Sequence, residues 1–227
     1  MKGGPALAWD PSKGAYLGVM RRDASVDTIR WFEMDPTYMF HPMNAWEEGS
    51  KIHTELMEYP TAPLFPSADG SQGQNSQAML RRWTIDLEGP GNVKRETLDD
   101  LPSEFPRPDE RFAGLPYRHG WYVANVDHRN PLVFNSIAHI DFKTGKRTTL
   151  TYEPGDAVGE PIFVPRSANA PEGDGYLIVL VYRAATNTSE LEILNAQDIA
   201  GKPEAVLKLP RRVPSGFHGN WAPGVVA

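Results

Sequence analysis

The sequence predicts an all-β fold made of successive hairpins, for which a β-propeller accounts best. Three features carry that reading. Prolines, 21 of them, are scattered along the 227 residues and interrupt most long helices. Strand-like runs are plentiful, some alternating polar with apolar residues and one continuously apolar over strand length. The hairpins they form recur every few tens of residues without an exact repeat, which is the spacing of propeller blades and, less regularly, of a β-sandwich.

The elements follow in chain order. AYLGVMRR (15–22) is a short β-rich run after the turn at Ser12-Lys13-Gly14. RRWTIDLE (81–88) and the segment after EGPGN (88–92) form the two arms of a hairpin. In AHIDFKTGKRTTLTYE (138–153), Ile140 and Phe142 alternate into Lys-Thr-Gly, and Thr148, Leu150 and Tyr152 alternate out of it. The strongest signal is GYLIVLVYRAATNTSELEILNA (175–196), an apolar run too short to span a membrane, then a polar turn and an alternating return. These hairpins do not amount to a full ring, and an incomplete propeller leaves open sheet edges.

The length fits one large all-β domain or two smaller ones and allows a core without disulfides or a structural metal. Cysteine is absent, which excludes disulfide frameworks and thiolate metal sites and suits a reducing compartment. The net charge is -6, and basic residues cluster only as pairs such as Arg21-Arg22, Arg81-Arg82 and Arg211-Arg212. That leaves no electrostatic footprint for a nucleic-acid backbone. The first residues, MKGGPALAWDPSKG, lack a signal peptide's apolar core, and no run reaches the roughly 18 apolar residues of a membrane span. The expectation is a soluble, cytoplasmic protein.

The histidines are His41, His53, His119, His128, His139 and His218, none of them in a standard zinc signature. A lone histidine is ordinarily a surface or hydrogen-bonded structural residue. His41 in FHPMNAWEEG (40–49) and His218 in GFHGNW (216–221) stand out from that rule. Both sit in aromatic, low-charge surroundings beside residues that allow close backbone approach, where an imidazole is poorly solvated unless something uses it. His53 and His128 lie in polar, loop-like runs and read as solvated. His139 reads as a structural strand residue, and His119, in PYRHGWY (116–122), as a candidate for lining a cavity.

Glu47 and Glu48 are neighbours, so an extended backbone points them to opposite faces and they cannot form a glycosidase's facing pair. Glu104 in SEFPRPD and Glu160 in GEPIFVPR are isolated acids beside apolar and proline residues. They read either as strand-start glutamates or as acceptors for the N–H of a metal-bound histidine. There is no phosphate loop, no GxSxG elbow and no nucleophile in a constellation. Redox or Lewis-acid chemistry at a histidine-bound metal is the enzyme reading that survives.

Taken together, FHPMNAWEEG, SEFPRPDERFAGLPYRHGWY, GEPIFVPR, EGDGYLIVLVY, SELEILNAQDIAG and VPSGFHGNW, in that order, resemble the carotenoid cleavage oxygenase family, most closely its bacterial and lignostilbene-cleaving members. The resemblance implies a seven-bladed β-propeller with an axial Fe(II) held by four histidines, under a helical and loop cap. It implies oxidative scission of a conjugated carbon–carbon double bond in a carotenoid, apocarotenoid or stilbene, with O2, to two carbonyl products. His41 matches the third iron ligand and His218 the fourth. Glu104 and Glu160 match supporting glutamates, paired with His41 and His218 respectively. Phe40 and Phe217, each directly before a ligand, would pack beside the site.

The resemblance covers only the C-terminal half of the family's usual length, so residues 1–227 would be the C-terminal portion of a single propeller domain. The first two ligands have no counterpart, and His119, His128 and His139 do not align as substitutes. Two histidines alone make a weak Fe(II) site. Three readings follow: a part completed by an N-terminal partner, a ring closed by self-association, or a metal-free binding module. The tryptophans Trp31, Trp46, Trp121 and Trp221 suit any apolar conjugated substrate, and membrane contact would depend on a cap not located here.

Overall fold

The computed structural model describes residues 6–127 and 133–224. Short 3₁₀ turns at Pro11–Lys13, Val26–Thr28 and Glu110–Phe112 are its helical elements, and the other regular elements are strands. None of these helices is long and apolar enough to cross a membrane. The chain divides into two compact units, Met1–Asp99 and Asp100–Ala227.

The first unit opens with an antiparallel hairpin of β1 (Ala15–Val19) and β2 (Arg30–Met34). A four-stranded antiparallel meander follows: β3 (Tyr38–Glu48), β4 (Lys51–Tyr59), β5 (Met79–Asp86) and β6 (Val93–Thr97). The second unit holds two more sheets. One is the meander of β7 (Ser103–Pro108), β8 (His119–Ala124), β9 (Ser136–Asp141) and β10 (Lys146–Thr151). The other comprises β11 (Ala157–Val158), β12 (Ile162–Pro165), β13 (Gly175–Arg183), β14 (Thr188–Asn195) and β15 (Ala205–Lys208). Because β11 and β12 lie end to end along the same edge of β13, this sheet too is four strands wide. A four-stranded antiparallel meander is the unit of a propeller blade. Among the described residues no sheet closes on itself.

The sequence dictates these hairpins locally. Between β9 and β10, Asp141 accepts the Lys143 N–H at 3.0 Å, and Gly145 supplies the left-handed residue (φ 70°) that reverses the chain. Between β13 and β14 that position is Asn187 (φ 53°), the side-chain type that tolerates it best after glycine. The second unit's core takes Trp121 and Val123 from β8, Ile137 from β9, and Leu177, Val179 and Val181 from β13. All six residues of β8 are buried, which explains why that segment does not alternate. Buried carboxylates face guanidinium groups: Glu55 meets Arg82, Glu58 meets Arg95, and Asp156 and Glu192 meet Arg183. Such partners offset the cost of removing the charge from water.

Two histidines differ from their sequence reading or fall outside it. His53 is not solvated: it lies on β4 between β3 and β5, its ring stacks on Trp46 at 5.2 Å, and Nδ1 is 3.0 Å from the Thr84 hydroxyl. A polar run reads as a loop, but here its polar atoms bond across strands, and burial pulls the His53 pKa down. His128 lies outside the described residues. His139 is a structural strand residue, as read, and its Nε2 is 3.0 Å from Nδ1 of His119. Trp121 stacks on His139 at 5.4 Å, so both imidazoles are packed within the second unit.

Burial lowers the pKa of both, that of His139 to about 4, with the neighbouring His119 adding to the effect. In the unfolded chain a histidine titrates near 6.5. Between those values the unfolded chain binds a proton that the folded chain refuses, so this contribution to stability is complete above pH 6.5 and is lost as pH falls toward 4. The expected size is about 3 kcal/mol. Urea unfolding at pH 7, 5.5 and 4 should show His139→Gln flattening that dependence relative to the unsubstituted chain; parallel profiles would refute the assignment.

Candidate metal centre

The first edge of each four-strand-wide sheet carries at least one extra residue, and His41, Glu104 and Glu160 sit at or beside those places. In β3, Met39 pairs with Glu58 and Pro42 with Leu56, so Phe40 and His41 together oppose the single residue Met57. In β7, Glu104 pairs with Val123 and Arg107 with Trp121, so Phe105 and Pro106 oppose Tyr122. Along β13's edge, Val158 pairs with Val181 and Ile162 with Ile178, which sets Gly159, Glu160 and Pro161 against Val179 and Leu180. Bulges of this kind re-aim side chains and recur beside active sites. Proline reinforces each one, at Pro42, Pro106 and Pro161, by removing a ladder donor.

His41 is half-buried on β3, and its ring lies 6.2 Å from that of Phe40. Phe40 meets Tyr38 and Tyr59 edge-on at 4.9 and 5.5 Å. Glu104 is buried, and its Oε2 accepts the N–H of Phe105 at 2.6 Å. Phe105 holds a left-handed backbone (φ 50°), unfavourable for an aromatic residue, and sets its ring 5.7 Å from His218. His41 belongs to the first unit and Glu104 to the second.

The structure does bring His218 and Glu160 together. Nδ1 of His218 donates to Glu160 Oε1 at 3.2 Å, and the next residue, Gly219, donates its N–H to Oε2 at 3.1 Å. The carboxylate's side chain is 4% exposed and that of the imidazole 54%. A hydrogen on Nδ1 places the ring's lone pair on Nε2, the state in which a histidine can bind a metal. Phe217 is 75% exposed, with its ring 6.5 Å from Phe105. His119 lies against His139, as described above. No three His, Asp or Glu side chains converge on a metal position among the described residues.

One residue at this place escaped the sequence reading. Arg107 Nη2 donates to Asn220 Oδ1 at 2.9 Å and to Glu110 at 2.6 Å, and Nη1 lies 3.5 Å from Glu160 Oε1. Its signal was present: Arg107 stands between two prolines three residues after Glu104, where no strand alternation would call for a charge.

Residues 1–223 match the family model for RPE65, retinal pigment epithelial membrane protein. The chain belongs to this family. Among RPE65-family relatives, isoeugenol monooxygenase of Pseudomonas nitroreducens is 38% identical over 232 residues, which cover 96% of this chain and 48% of that protein. The crystal structure of Pseudomonas brassicacearum lignostilbene dioxygenase matches with a TM-score of 0.91 at 34% identity, covering 97% of this chain and 49% of that one. Cobalt-substituted Synechocystis apocarotenoid oxygenase gives 0.83 at 32%, covering 94% and 45%. The chain thus spans about half the length of the relatives it matches. The carotenoid-oxygenase resemblance read from the motifs is borne out, and the all-β expectation with it.

Proposed function

We propose that this chain carries two of the four histidine ligands of an Fe(II)-dependent oxygenase that splits a conjugated carbon–carbon double bond into two carbonyl products. The observation that carries the reading is the buried Glu160 holding His218 by Nδ1, because a carboxylate behind an imidazole orients the ring and strengthens it as a ligand. The residues fit iron: the donors are imidazoles without thiolates, each from a bulged or irregular segment. Fe(II) would supply O2 activation, for which side chains alone have no means.

In this reading His218 and His41 present their rings, with Glu160 fixing the first and Glu104 the second. Phe40 and Phe217 offer apolar surface beside them. The two units are parts of one seven-bladed propeller domain, whose other ligands and blades come from an N-terminal portion. Isoeugenol, stilbenes and apocarotenoids share an alkene conjugated to an aryl ring or polyene, and the substrate is assigned to that apolar class.

The test is a Co(II) titration of the full chain under nitrogen, with the metal's visible spectrum as readout. His41→Ala and His218→Ala should each weaken binding tenfold or more, while His53→Ala leaves it unchanged. Equal binding by all four proteins would refute the assignment.

A further inference from the structure

The segment that carries His218 has no regular secondary structure between Val213 and Pro223, so strand pairing does not hold the imidazole in place. Side chains from β7 and from the connection between β11 and β12 tie it down. Glu160 takes the Gly219 N–H and the His218 ring. Arg107 takes Asn220 and stands beside Glu160. One guanidinium therefore touches both the carboxylate that orients the ligand and the residue two positions beyond the ligand.

The bulge in β7 makes that reach possible. In an unbroken strand, residues three apart point to opposite faces, which would turn Arg107 away from the side that Glu104 faces. The extra residue at Phe105–Pro106 restores the phase, so that Glu104 and Arg107 sit opposite Val123 and Trp121, two positions apart on β8 and on one face of it. Arg107's side chain is 16% exposed, and Glu110 braces it from the turn at Glu110–Phe112. A planar guanidinium spans two acceptors in fixed geometry, which an ammonium on a flexible stem does not.

We infer that Arg107 is the positioning residue of the His218 site: it straps the 216–221 segment to β7 and keeps Glu160 aimed at Nδ1. This rests on the reading of His218 as a ligand, but the strap itself exists without metal and can be measured without it. Removing Arg107 would release the Asn220 side chain from β7 and take away the guanidinium beside Glu160. The ring would then sample the Nε2–H tautomer, which turns its lone pair away from the metal position.

The experiment uses the full chain, metal-free, labelled with ¹⁵N on its histidine rings. The His218 resonances should report the Nδ1–H tautomer. Arg107→Met should convert them toward the Nε2–H pattern and accelerate amide exchange at Gly219 tenfold or more. Arg107→Lys, which keeps the charge beside Glu160, should recover the tautomer but not the exchange protection, because a lysine does not span both acceptors. Asn220→Ala guards against a folding artefact: it leaves β7 intact and should speed exchange at Gly219 in the same way. A Co(II) titration then separates the two ideas. Altered tautomer with unaltered metal binding would leave the strap standing and sink the ligand role of His218. An unchanged His218 tautomer in Arg107→Met, or unchanged exchange in Asn220→Ala, would overturn the strap.

Discussion

Trp121→Ala will remove a large part of the stability of the second unit. The side chain is fully buried and stacks on Phe163 with ring centroids 4.8 Å apart and planes 9° apart, and on His139 at 5.4 Å. Its Nε1–H donates to the carbonyl of Ala196 at 2.8 Å, tying β8 to the end of β14. Truncating a buried tryptophan costs about 3–5 kcal/mol, and the Ala196 carbonyl loses its donor as well. Domains as a class hold only about 5–15 kcal/mol, so the variant should unfold at far lower urea. Far-ultraviolet circular dichroism is the readout, since the substitution removes a fluorophore. Trp121→Phe keeps the stack and should lose less than half as much; a loss below about 1 kcal/mol in the alanine variant would show that the packing around Phe163 does not matter. Phe163 lies three residues after Glu160, so the same cavity would loosen the strand that aims the carboxylate.

The hairpins were legible because their signals are local. The Gly145 and Asn187 turns and the alternation around them place β9, β10, β13 and β14 within a residue or two of where the pattern puts them. Phe142 falls just outside β9, because the Asp141 turn begins one residue before the apolar alternation ends. The four-strand width of each sheet was not legible. β11 is two residues long and is separated from β12 by Gly159–Pro161, so only their shared partner β13 shows that they form one edge.

The candidate site divides along the same line. Composition and motif picked out His218 and Glu160, and their contact follows from tertiary placement 58 residues apart in sequence. The misreading of His53 has the opposite origin: its polar neighbours are cross-strand partners, which a one-dimensional pattern reads as solvent exposure. The direction in which Arg107 and Phe105 point was not legible, because a bulge is a mismatch between two strands, and a single strand's sequence does not contain its partner's count.

Arg183→Met will destabilise the second unit by about 2–4 kcal/mol and disturb the site from a distance. Its guanidinium reaches three carboxylates: Asp156 at 3.0 Å, Glu190 at 2.7 Å and Glu192 at 2.5 Å. Asp156 and Glu192 are at most 5% exposed, so removing their cation leaves buried negative charge facing negative charge. The estimate lies below the full cost of breaking a buried pair because Arg183 is itself 26% exposed and water can enter. Tyr152, which donates to Glu192 at 2.8 Å, offsets part of the loss on one carboxylate. Asp156, whose Oδ1 accepts the Ala184 N–H at 2.8 Å, has no such second side chain among the described residues, and it starts the segment that reaches Glu160 four residues later. The double variant Arg183→Met with Glu192→Gln should therefore regain stability, since it removes one of the opposed charges, while Arg183→Met alone should speed amide exchange through Ala157–Gly159. Urea unfolding of the two variants checks the first expectation and hydrogen exchange the second. If the double variant proves no more stable than the single, the cost of losing Arg183 comes from its packing over the Tyr152 ring rather than from its charge.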